Sequence, residues 1–139
     1  MALTVPNEGE VRVLSLLTDK VAHAELIVDL FSSNTNPASS SVYSDFTLVT
    51  GGGYAANTPG NTDWQITAGS PSIANASPIV WTFTSVPAVT NVFGYIVHSS
   101  GKVVAAERFP VGIAPFIIST PGETVTITPH ITAGSTVND

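Results

Sequence analysis

The side chains of this sequence best suited to acid–base or metal chemistry are three histidines, His23, His98 and His130. They lie in different parts of the chain, and no two of them have the close spacing, such as His-x-x-x-His, with which one element presents two metal ligands. Serine and aspartate complete the inventory for a Ser–His–Asp triad, but the Gly-x-Ser-x-Gly turn that exposes a nucleophilic serine does not occur. Cysteine is absent, which excludes thiolate chemistry and disulfides. We therefore expect no enzymatic activity, no metal site and no cofactor.

Two further motifs have a structural interpretation. The run Gly51-Gly52-Gly53 is followed by Tyr54 and by no predicted helix, whereas a phosphate-binding loop leads into a helix N-terminus. We predict a turn or bulge between strands there. Glu107 and Arg108 are adjacent on a predicted strand, so their side chains point to opposite faces. Each is expected to pair across a strand or across a subunit boundary.

The composition limits the partners of the chain. Its 139 residues predict one domain, with 43% hydrophobic and only 10% charged residues and a formal net charge of −6. The basic residues form no cluster that could neutralise a row of phosphates, so we expect no nucleic-acid partner. No apolar run approaches the roughly 20 residues of a membrane span, so we expect no membrane partner either. The basic residues are Arg12, Lys20, Lys102 and Arg108.

The elements that position these residues are predicted most clearly between Pro78 and Phe109. Aromatic and β-branched residues dominate three runs, 79–84, 92–98 and 103–109, which predicts three strands. The turn 99–102 contains Gly101 and joins the second and third strands into a hairpin. Alternation places Phe93, Tyr95 and Val97 on one face. The predicted core is Trp81, Phe83, Phe93, Tyr95 and Val97.

Shorter strands are predicted elsewhere, and one helix precedes them. The predicted strands are 25–31, 46–49, 64–67, 72–74, 116–119 and 123–128. Many short strands separated by turn residues indicate a mainly β fold, an antiparallel β-sandwich of jelly-roll or Ig-like type with one short N-terminal helix. We divide the single domain 1–139 into an extended arm 1–6, a helix 8–19, a strand-rich body 23–130 and a loose tail 133–139.

The arm and the helix carry an apolar stripe that has two interpretations. The helix could close one end of its own sandwich, or the segment could dock on a partner, since it offers more apolar surface than an isolated helix should expose. The sequence leaves both open. The candidate partner-contact residues are Leu3, Val5, Val11, Leu14 and Leu17.

A series of short motifs runs through nearly the whole chain in fixed order. The motifs are Asn7-Glu8-Gly9-Glu10, Leu30-Phe31-Ser32-Ser33-Asn34, the run from Phe46 to Tyr54, Trp64, Trp81-Thr82-Phe83-Thr84, Gly94-Tyr95-Ile96-Val97, Ala106-Glu107-Arg108-Phe109 and the run from Gly122 to Pro129. This series resembles small proteins, about this length, that are encoded among the virion genes of tailed bacteriophages. The resemblance implies a structural virion protein, and most plausibly a capsid decoration (cement) protein; it brings no catalytic residues with it.

These observations lead to one expected function and two alternatives. We expect a protein on the capsid surface of the virion, made in the host cytoplasm during assembly, that binds the major capsid protein or another virion protein. A homo-oligomer, with a trimer favoured, would suit a surface with few charges. The first alternative is a tail, fibre or receptor-binding component of the particle. The second is a carbohydrate-binding module, since Tyr54, Trp64 and Trp81 could stack on sugar rings if they were exposed.

Overall fold

The computed structural model describes residues 3–9, 11, 25–69 and 72–133, and within them the fold is mainly β, with antiparallel sheets. Residues 7–9 and 11 are helical, and two short 3-10 turns cover Tyr43–Asp45 and Asn61–Asp63. The predicted helix 8–19 and the tail 133–139 lie almost wholly outside the described residues. The strands are β1 Ile27–Phe31, β2 Trp64–Thr67, β3 Ser72–Ala76, β4 Ile79–Thr82, β5 Asn91–Val92, β6 Gly94–Ser99, β7 Lys102–Arg108, β8 Phe116–Ile117, β9 Thr124–Ile127 and β10 His130–Ala133.

The central sheet has the strand order β1-β6-β7 and contains the predicted hairpin. Ser99 pairs with Lys102, and the two residues between them have positive φ, 50° at Ser100 and 71° at Gly101. Two successive left-handed residues make a type I′ turn, whose twist matches that of the strands it joins. The predicted hairpin is therefore confirmed. A register shift between Val97 and His98 marks a bulge in the same pair of strands.

The remaining strands form a sheet of order β10-β3-β2 and the pairs β4-β9 and β5-β8. One predicted strand is wrong, and one strand of the structure was missed. The stretch 46–49 is not a strand, because only Leu48 forms a bridge, to Phe31. The strand β10 was not predicted: its residues pair with β3 from His130 opposite Asn75 to Ala133 opposite Ser72, and they lack the apolar alternation that marks β9.

Apolar side chains pack on both faces of the central sheet, in two clusters. Trp81, Phe83, Tyr95 and Val97 belong to the larger cluster, as predicted, and all are at least nine-tenths buried. Phe93 is buried too, but it belongs to the smaller cluster with Phe31, Phe46 and Ile96. The prediction that Phe93 shares a face with Tyr95 and Val97 is therefore wrong. Phe93 lies between β5 and β6, so the alternation of β6 does not extend to it.

A close approach of neighbouring groups requires a glycine at Gly94, the first residue of β6. A Cβ at this position would lie 2.7 Å from the ring of Phe31 and would also collide with the carbonyl oxygen of Glu107. Only glycine lets the two neighbouring strands come this near without a shift of the backbone. The break in side-chain alternation between Phe93 and Tyr95 falls at this glycine.

Segments of the same chain cover both outer edges of the central sheet. Along β1, Asn57 exchanges two backbone hydrogen bonds with Val28, and Val49 N donates to the Leu30 carbonyl. Along β7, Thr4 exchanges two with Ala106. A strand edge left open is a template for pairing with another chain, so these contacts protect the sheet. They also show that the described part of the arm, residues 3–6, lies against the strand-rich body.

The start of the helix is also fastened to β7. The Glu8 carboxylate accepts a hydrogen bond of 2.7 Å from Val103 N, and Lys102 Nζ lies 3.8 Å from its other oxygen. Gly9 is buried, and a Cβ there would lie 2.6 Å from the Val103 carbonyl oxygen. A glycine that would weaken a helix by its own propensity is therefore required here by the close approach to a strand.

Candidate functional site

A cluster of three polar side chains lies between β1, β6 and the loop after the glycine run; we call Asp29, Tyr54 and His98 the Tyr–Asp–His cluster. His98 Nε2 lies 2.8 Å from Asp29 Oδ2, and the Tyr54 hydroxyl donates to Asp29 Oδ1 at 2.8 Å. The same hydroxyl accepts a hydrogen bond of 2.7 Å from Leu30 N, on the outer edge of β1. Both carboxylate oxygens are thus occupied by partners from the same chain.

Burial separates this cluster from water. The side chains of His98 and Asp29 are 8% and 7% exposed, and the ring of Tyr43 lies 4.9 Å from that of His98. Burial raises the pKa of Tyr54 far above its ordinary value; the hydrogen bond from Leu30 N opposes this shift, and the charge of Asp29 adds to it. His98 Nδ1 is buried without a hydrogen-bond partner. The hydrogen bonds of Asp29 and Tyr54 tie the loop that contains Tyr54 to β1 and β6.

The second cluster joins the central sheet to the sheet that contains β10; we call Tyr95, Glu107 and His130 the Tyr–Glu–His cluster. Tyr95 and Glu107 are directly opposite each other on β6 and β7, and the Tyr95 hydroxyl donates to Glu107 Oε2 at 2.8 Å. His130 Nδ1 lies 3.4 Å from that hydroxyl and 3.7 Å from Glu107 Oε2. The side chains of His130 and Glu107 are 30% and 18% exposed, so water reaches this cluster.

The tyrosine of the second cluster resembles that of the first in its acidity. Burial raises the pKa of Tyr95 well above its ordinary value, and the neighbouring Glu107 raises it further through its hydrogen bond and its charge. Both tyrosines are therefore kept neutral and act as hydrogen-bond donors to a carboxylate.

Metal binding finds no support among the residues that the structure describes. No group of three or more His, Asp or Glu side chains in those ranges is close enough to hold an ion. His98 and His130 belong to the two different clusters, each with one carboxylate. His23 lies outside the described residues.

The glycine run forms a turn, as predicted, but the turn does not join two strands. Gly51, Gly52 and Gly53 all have positive φ, of 81°, 63° and 78°, a conformation that side chains with a Cβ rarely adopt. Thr84 N donates to the Gly52 carbonyl at 2.9 Å, which fastens the turn to the residues after β4. The run is a structural turn between irregular segments, since neither Phe46–Val49 before it nor the residues after it form a strand or a helix.

Glu107 and Arg108 both find partners from other parts of the chain. Glu107 pairs across strands with Tyr95, as predicted. Arg108 donates to the Thr35 carbonyl at 3.3 Å, and its guanidinium lies 4.8 Å from the centre of the Phe93 ring. A cation over an aromatic face is an attractive contact that also shields the ring from water.

The candidate partner-contact residues separate into three groups. Leu3 is half-buried and packs against the larger core cluster, and Val5 is half-buried as well. Val11 is 63% exposed. Leu14 and Leu17 lie outside the described residues. In the described part of the arm, Leu3 thus packs against the core of its own domain, and Pro6 is fully buried.

The aromatic residues that could have formed a sugar-binding platform do not lie together on the surface. Trp81 is 7% exposed, and its indole N–H donates to the Ala55 carbonyl at 2.9 Å. Tyr54 packs 6.1 Å from both Trp81 and Phe83 and gives its hydroxyl to Asp29. Trp64 is half-buried at the start of β2, and among the described residues no ring contact connects it to either.

Several apolar residues are exposed in the segments 84–92 and 109–122, which the β5-β8 pairing brings together; we call this group the apolar loop surface. Val111 is fully exposed, and the other members are between 42% and 55% exposed. Its signal in the sequence is the absence of charge: neither 84–92 nor 109–122 contains a charged residue. The members are Val86, Val89, Val111, Ile113 and Ile117.

Comparison of the chain with models of protein families, with curated proteins and with solved structures found no match in any of the three. Among the described residues, no helix is long and apolar enough to cross a membrane.

Proposed function

We propose that this chain is a structural virion protein of a tailed bacteriophage, a capsid decoration protein bound to the outside of the major capsid protein shell. In this proposal it is not an enzyme, it acts as a homo-oligomer with a trimer favoured, and its strands form an antiparallel β-sandwich of jelly-roll or Ig-like type. The order of short motifs along the sequence, which resembles that of small virion proteins, supports the assignment.

One structural observation carries the proposal. The buried polar side chains are used inside the domain, in the Tyr–Asp–His cluster above all, while the exposed apolar residues lie in uncharged loops. A catalyst needs polar groups that converge on a cavity. A protein that covers a repeated lattice needs a rigid scaffold and a surface that packs against other protein without burying unpaired charges.

The arm and the helix, which the sequence suggested as the partner surface, contribute fewer exposed residues than expected. Leu3 and Thr4 contact the body of their own domain, so they are poor candidates for an anchor on the shell. Deleting residues 1–6 would remove the pairing of Thr4 with Ala106 and should destabilise the fold. It therefore does not distinguish an anchor from a structural segment. Among the candidates that the structure describes, Val11 alone keeps most of its surface exposed.

Electron cryo-microscopy of the particle that carries this protein tests the proposal. Hundreds of copies at regular positions on the outside of the shell are the expected result. A few copies at a single vertex would favour the first alternative, a tail, fibre or receptor-binding component. Absence of the protein from purified, infectious particles would overturn both assignments.

The second alternative, a carbohydrate-binding module, is supported by fewer exposed aromatic residues than the sequence suggested. Trp81 and Tyr54 are committed to internal hydrogen bonds, which leaves the half-buried Trp64 as the aromatic residue that could meet a sugar. A glycan array with the purified protein checks this directly. Specific binding that is lost in Trp64→Ala would favour a module of this kind over a decoration protein.

A further inference from the structure

A small cleft lies between the segment 57–63 and the start of β4, apart from the two clusters of tyrosine, carboxylate and histidine. Its volume is about 230 Å³. This is below the roughly 300–1,000 Å³ of sites that hold drug-sized molecules, so the cleft has the size for one small ligand. We call it the polar cleft, and its lining includes Asn57, Pro59, Asp63, Ser77, Pro78 and Val80.

Three side chains of the polar cleft keep hydrogen-bonding atoms that the described residues do not occupy. The Asn57 amide has no hydrogen-bond partner in those ranges, although the Asn57 backbone is held against β1 by two hydrogen bonds. Asp63 Oδ2 accepts a hydrogen bond of 2.7 Å from Gly60 N, and its Oδ1 accepts none within the described part of the chain. The Ser77 hydroxyl makes only a long contact of 3.5 Å with the Asp63 carbonyl. Donors and acceptors are thus available to a ligand.

The edge of β4 adds backbone groups to the same cleft. Phe83 N, just after β4, donates to the Glu123 carbonyl on the side of β9. Thr84 N, the next along the chain, donates instead to the Gly52 carbonyl. Backbone groups of successive residues in a paired strand point to alternate sides, so the N–H and C=O of Val80 point the same way as those of Thr84, away from β9. Val80 lines the cleft and is 57% exposed, so its backbone supplies a fixed donor and a fixed acceptor there.

The residues that line the polar cleft disfavour several classes of ligand. Asp63 is the one charged residue in the described lining, so phosphate and carboxylate groups are repelled, and the net charge of −6 adds to this. A metal ion is disfavoured because, within the described ranges, no group of three or more His, Asp or Glu side chains lies together. An extended peptide would pair along the edge of β4, but Pro78, which precedes that strand, has no N–H to donate. A compact, neutral ligand remains.

We propose that the polar cleft binds one residue of a neutral saccharide. A sugar hydroxyl both donates and accepts hydrogen bonds, so it can serve the Asp63 carboxylate as a donor and the Asn57 amide as an acceptor. The rings of Pro59 and Pro78 offer apolar surface to the C–H groups of the sugar ring. Trp64 is not part of the described lining, so this site differs from the aromatic platform considered above.

Saccharide binding goes beyond the proposed role on the capsid shell and does not rest on it. It is measured on the purified protein alone, so it can fail while the shell assignment stands, and the shell assignment can fail while the cleft binds a sugar.

The experiment is a titration of the full chain followed by proton–nitrogen correlation NMR spectra, which show side-chain amides as well as the backbone. The probes are the methyl glycosides of glucose, galactose, mannose, rhamnose and N-acetylglucosamine, added one at a time. At least one should shift the signals of the Asn57 side-chain amide and the Val80 backbone saturably, with a dissociation constant on the order of 1 mM, given the usual affinity per atom of a small ligand. Asn57→Ala should weaken this binding by about fivefold or more, because it removes the amide. The matched control is Asn61→Ala, which replaces an exposed asparagine outside the described lining and should bind like the wild type.

Several results would overturn the proposal. They are the absence of a saturable shift with every glycoside well above that concentration, shifts that centre on the indole N–H of Trp64 and leave Asn57 unchanged, undiminished binding in Asn57→Ala, and an equal loss of binding in Asn61→Ala. Saturable shifts with ethanolamine but with none of the glycosides would also overturn it, because they would show that the charge of Asp63 selects cations. Should Asn57→Ala alter signals throughout the sheets, Asn57→Asp replaces it. That variant keeps the shape of the side chain, removes the amide donor and is interpreted in the same way.

Discussion

The Tyr–Asp–His cluster and the Tyr–Glu–His cluster use the same three kinds of side chain with different access to water. In both, a tyrosine hydroxyl donates to a carboxylate at 2.8 Å, and a histidine lies beside that carboxylate. His98 is 8% exposed in the first cluster, and His130 is 30% exposed in the second. The hydrogen bonds look alike, but the consequence of breaking them should differ, since water can replace a lost partner only in the second.

The two clusters also connect different parts of the molecule. The Tyr–Asp–His cluster fastens the loop of Tyr54 to the outer edge of β1, where the hydroxyl supplies the acceptor that Leu30 N would otherwise lack. The Tyr–Glu–His cluster reaches from β6 and β7 to His130 at the start of β10. The first completes a sheet edge inside the domain, and the second joins two sheets where solvent can enter.

The largest difference is expected on removal of each carboxylate. Asp29→Ala strands His98 and the Tyr54 hydroxyl in a buried site and should reduce the free energy of unfolding by about 3–5 kcal/mol. Glu107→Ala leaves partners that water can reach and should cost about 0.5–1.5 kcal/mol. Urea denaturation of both variants at neutral pH measures the two values. Equal losses would mean that burial does not distinguish the clusters.

A smaller difference is expected when each tyrosine loses only its hydroxyl. Tyr54→Phe leaves Leu30 N without its acceptor at 2.7 Å and Asp29 without a donor, so it should cost about 1–3 kcal/mol. Tyr95→Phe removes a single donor to the partly hydrated Glu107 and should cost about 0.5–1.5 kcal/mol. Both variants keep the aromatic ring, so the loss of stability reports the hydroxyl and not the packing of the ring. A Tyr95 loss larger than the Tyr54 loss would contradict the assigned hydrogen bonds.

In alkaline solution the two clusters should instead behave alike. Burial raises the pKa of Tyr54 and of Tyr95 in the folded state, whereas the unfolded chain loses these protons near pH 10. The stability that depends on the neutral hydroxyls is therefore complete below about pH 10 and falls as the pH rises further, by about 1.4 kcal/mol per pH unit for each tyrosine. Denaturation at a series of pH values in wild type, Tyr54→Phe and Tyr95→Phe gives the slopes. Each substitution should remove the contribution of one tyrosine to the fall of the free energy of unfolding with pH. If a substitution leaves that fall unchanged, the tyrosine it replaces ionises normally.

Much of the scaffold of these clusters could be predicted from local sequence, because local rules determine it. Ser100 and Gly101 both take positive φ in the predicted hairpin turn, and Val125 and Ile127 alternate inward on β9 as their spacing indicates. β10 escaped prediction because it is a strand only through its pairing with β3, four residues with no periodicity of their own.

The Tyr–Asp–His cluster escaped prediction because it depends on burial of both faces of the central sheet. Alternation places Val28 and Leu30 on the core face, and Asp29 would then face water in a sheet with one open side. A second core cluster covers that side, so Asp29 is only 5% exposed. The available signal in the sequence was the apolar run 92–97, whose lack of polar alternation is typical of strands covered on both faces. In the structure all six residues of β6 are buried. Which carboxylate would meet which histidine depends on a loop from a distant part of the chain.

The smallest effect is expected at His130. Its Nδ1 lies 3.4 Å from the Tyr95 hydroxyl and 3.7 Å from Glu107 Oε2, distances at which a direct bond contributes little, and 30% of the side chain is exposed. His130→Gln should therefore change the free energy of unfolding by no more than about 0.5 kcal/mol at neutral pH. The matched variant is His98→Gln, which disturbs the 2.8 Å contact with the buried Asp29 and should cost several times more. Denaturation of both in one buffer compares the two histidines directly. A loss above about 1.5 kcal/mol for His130→Gln would show that β10 depends on this side chain and that water does not replace it.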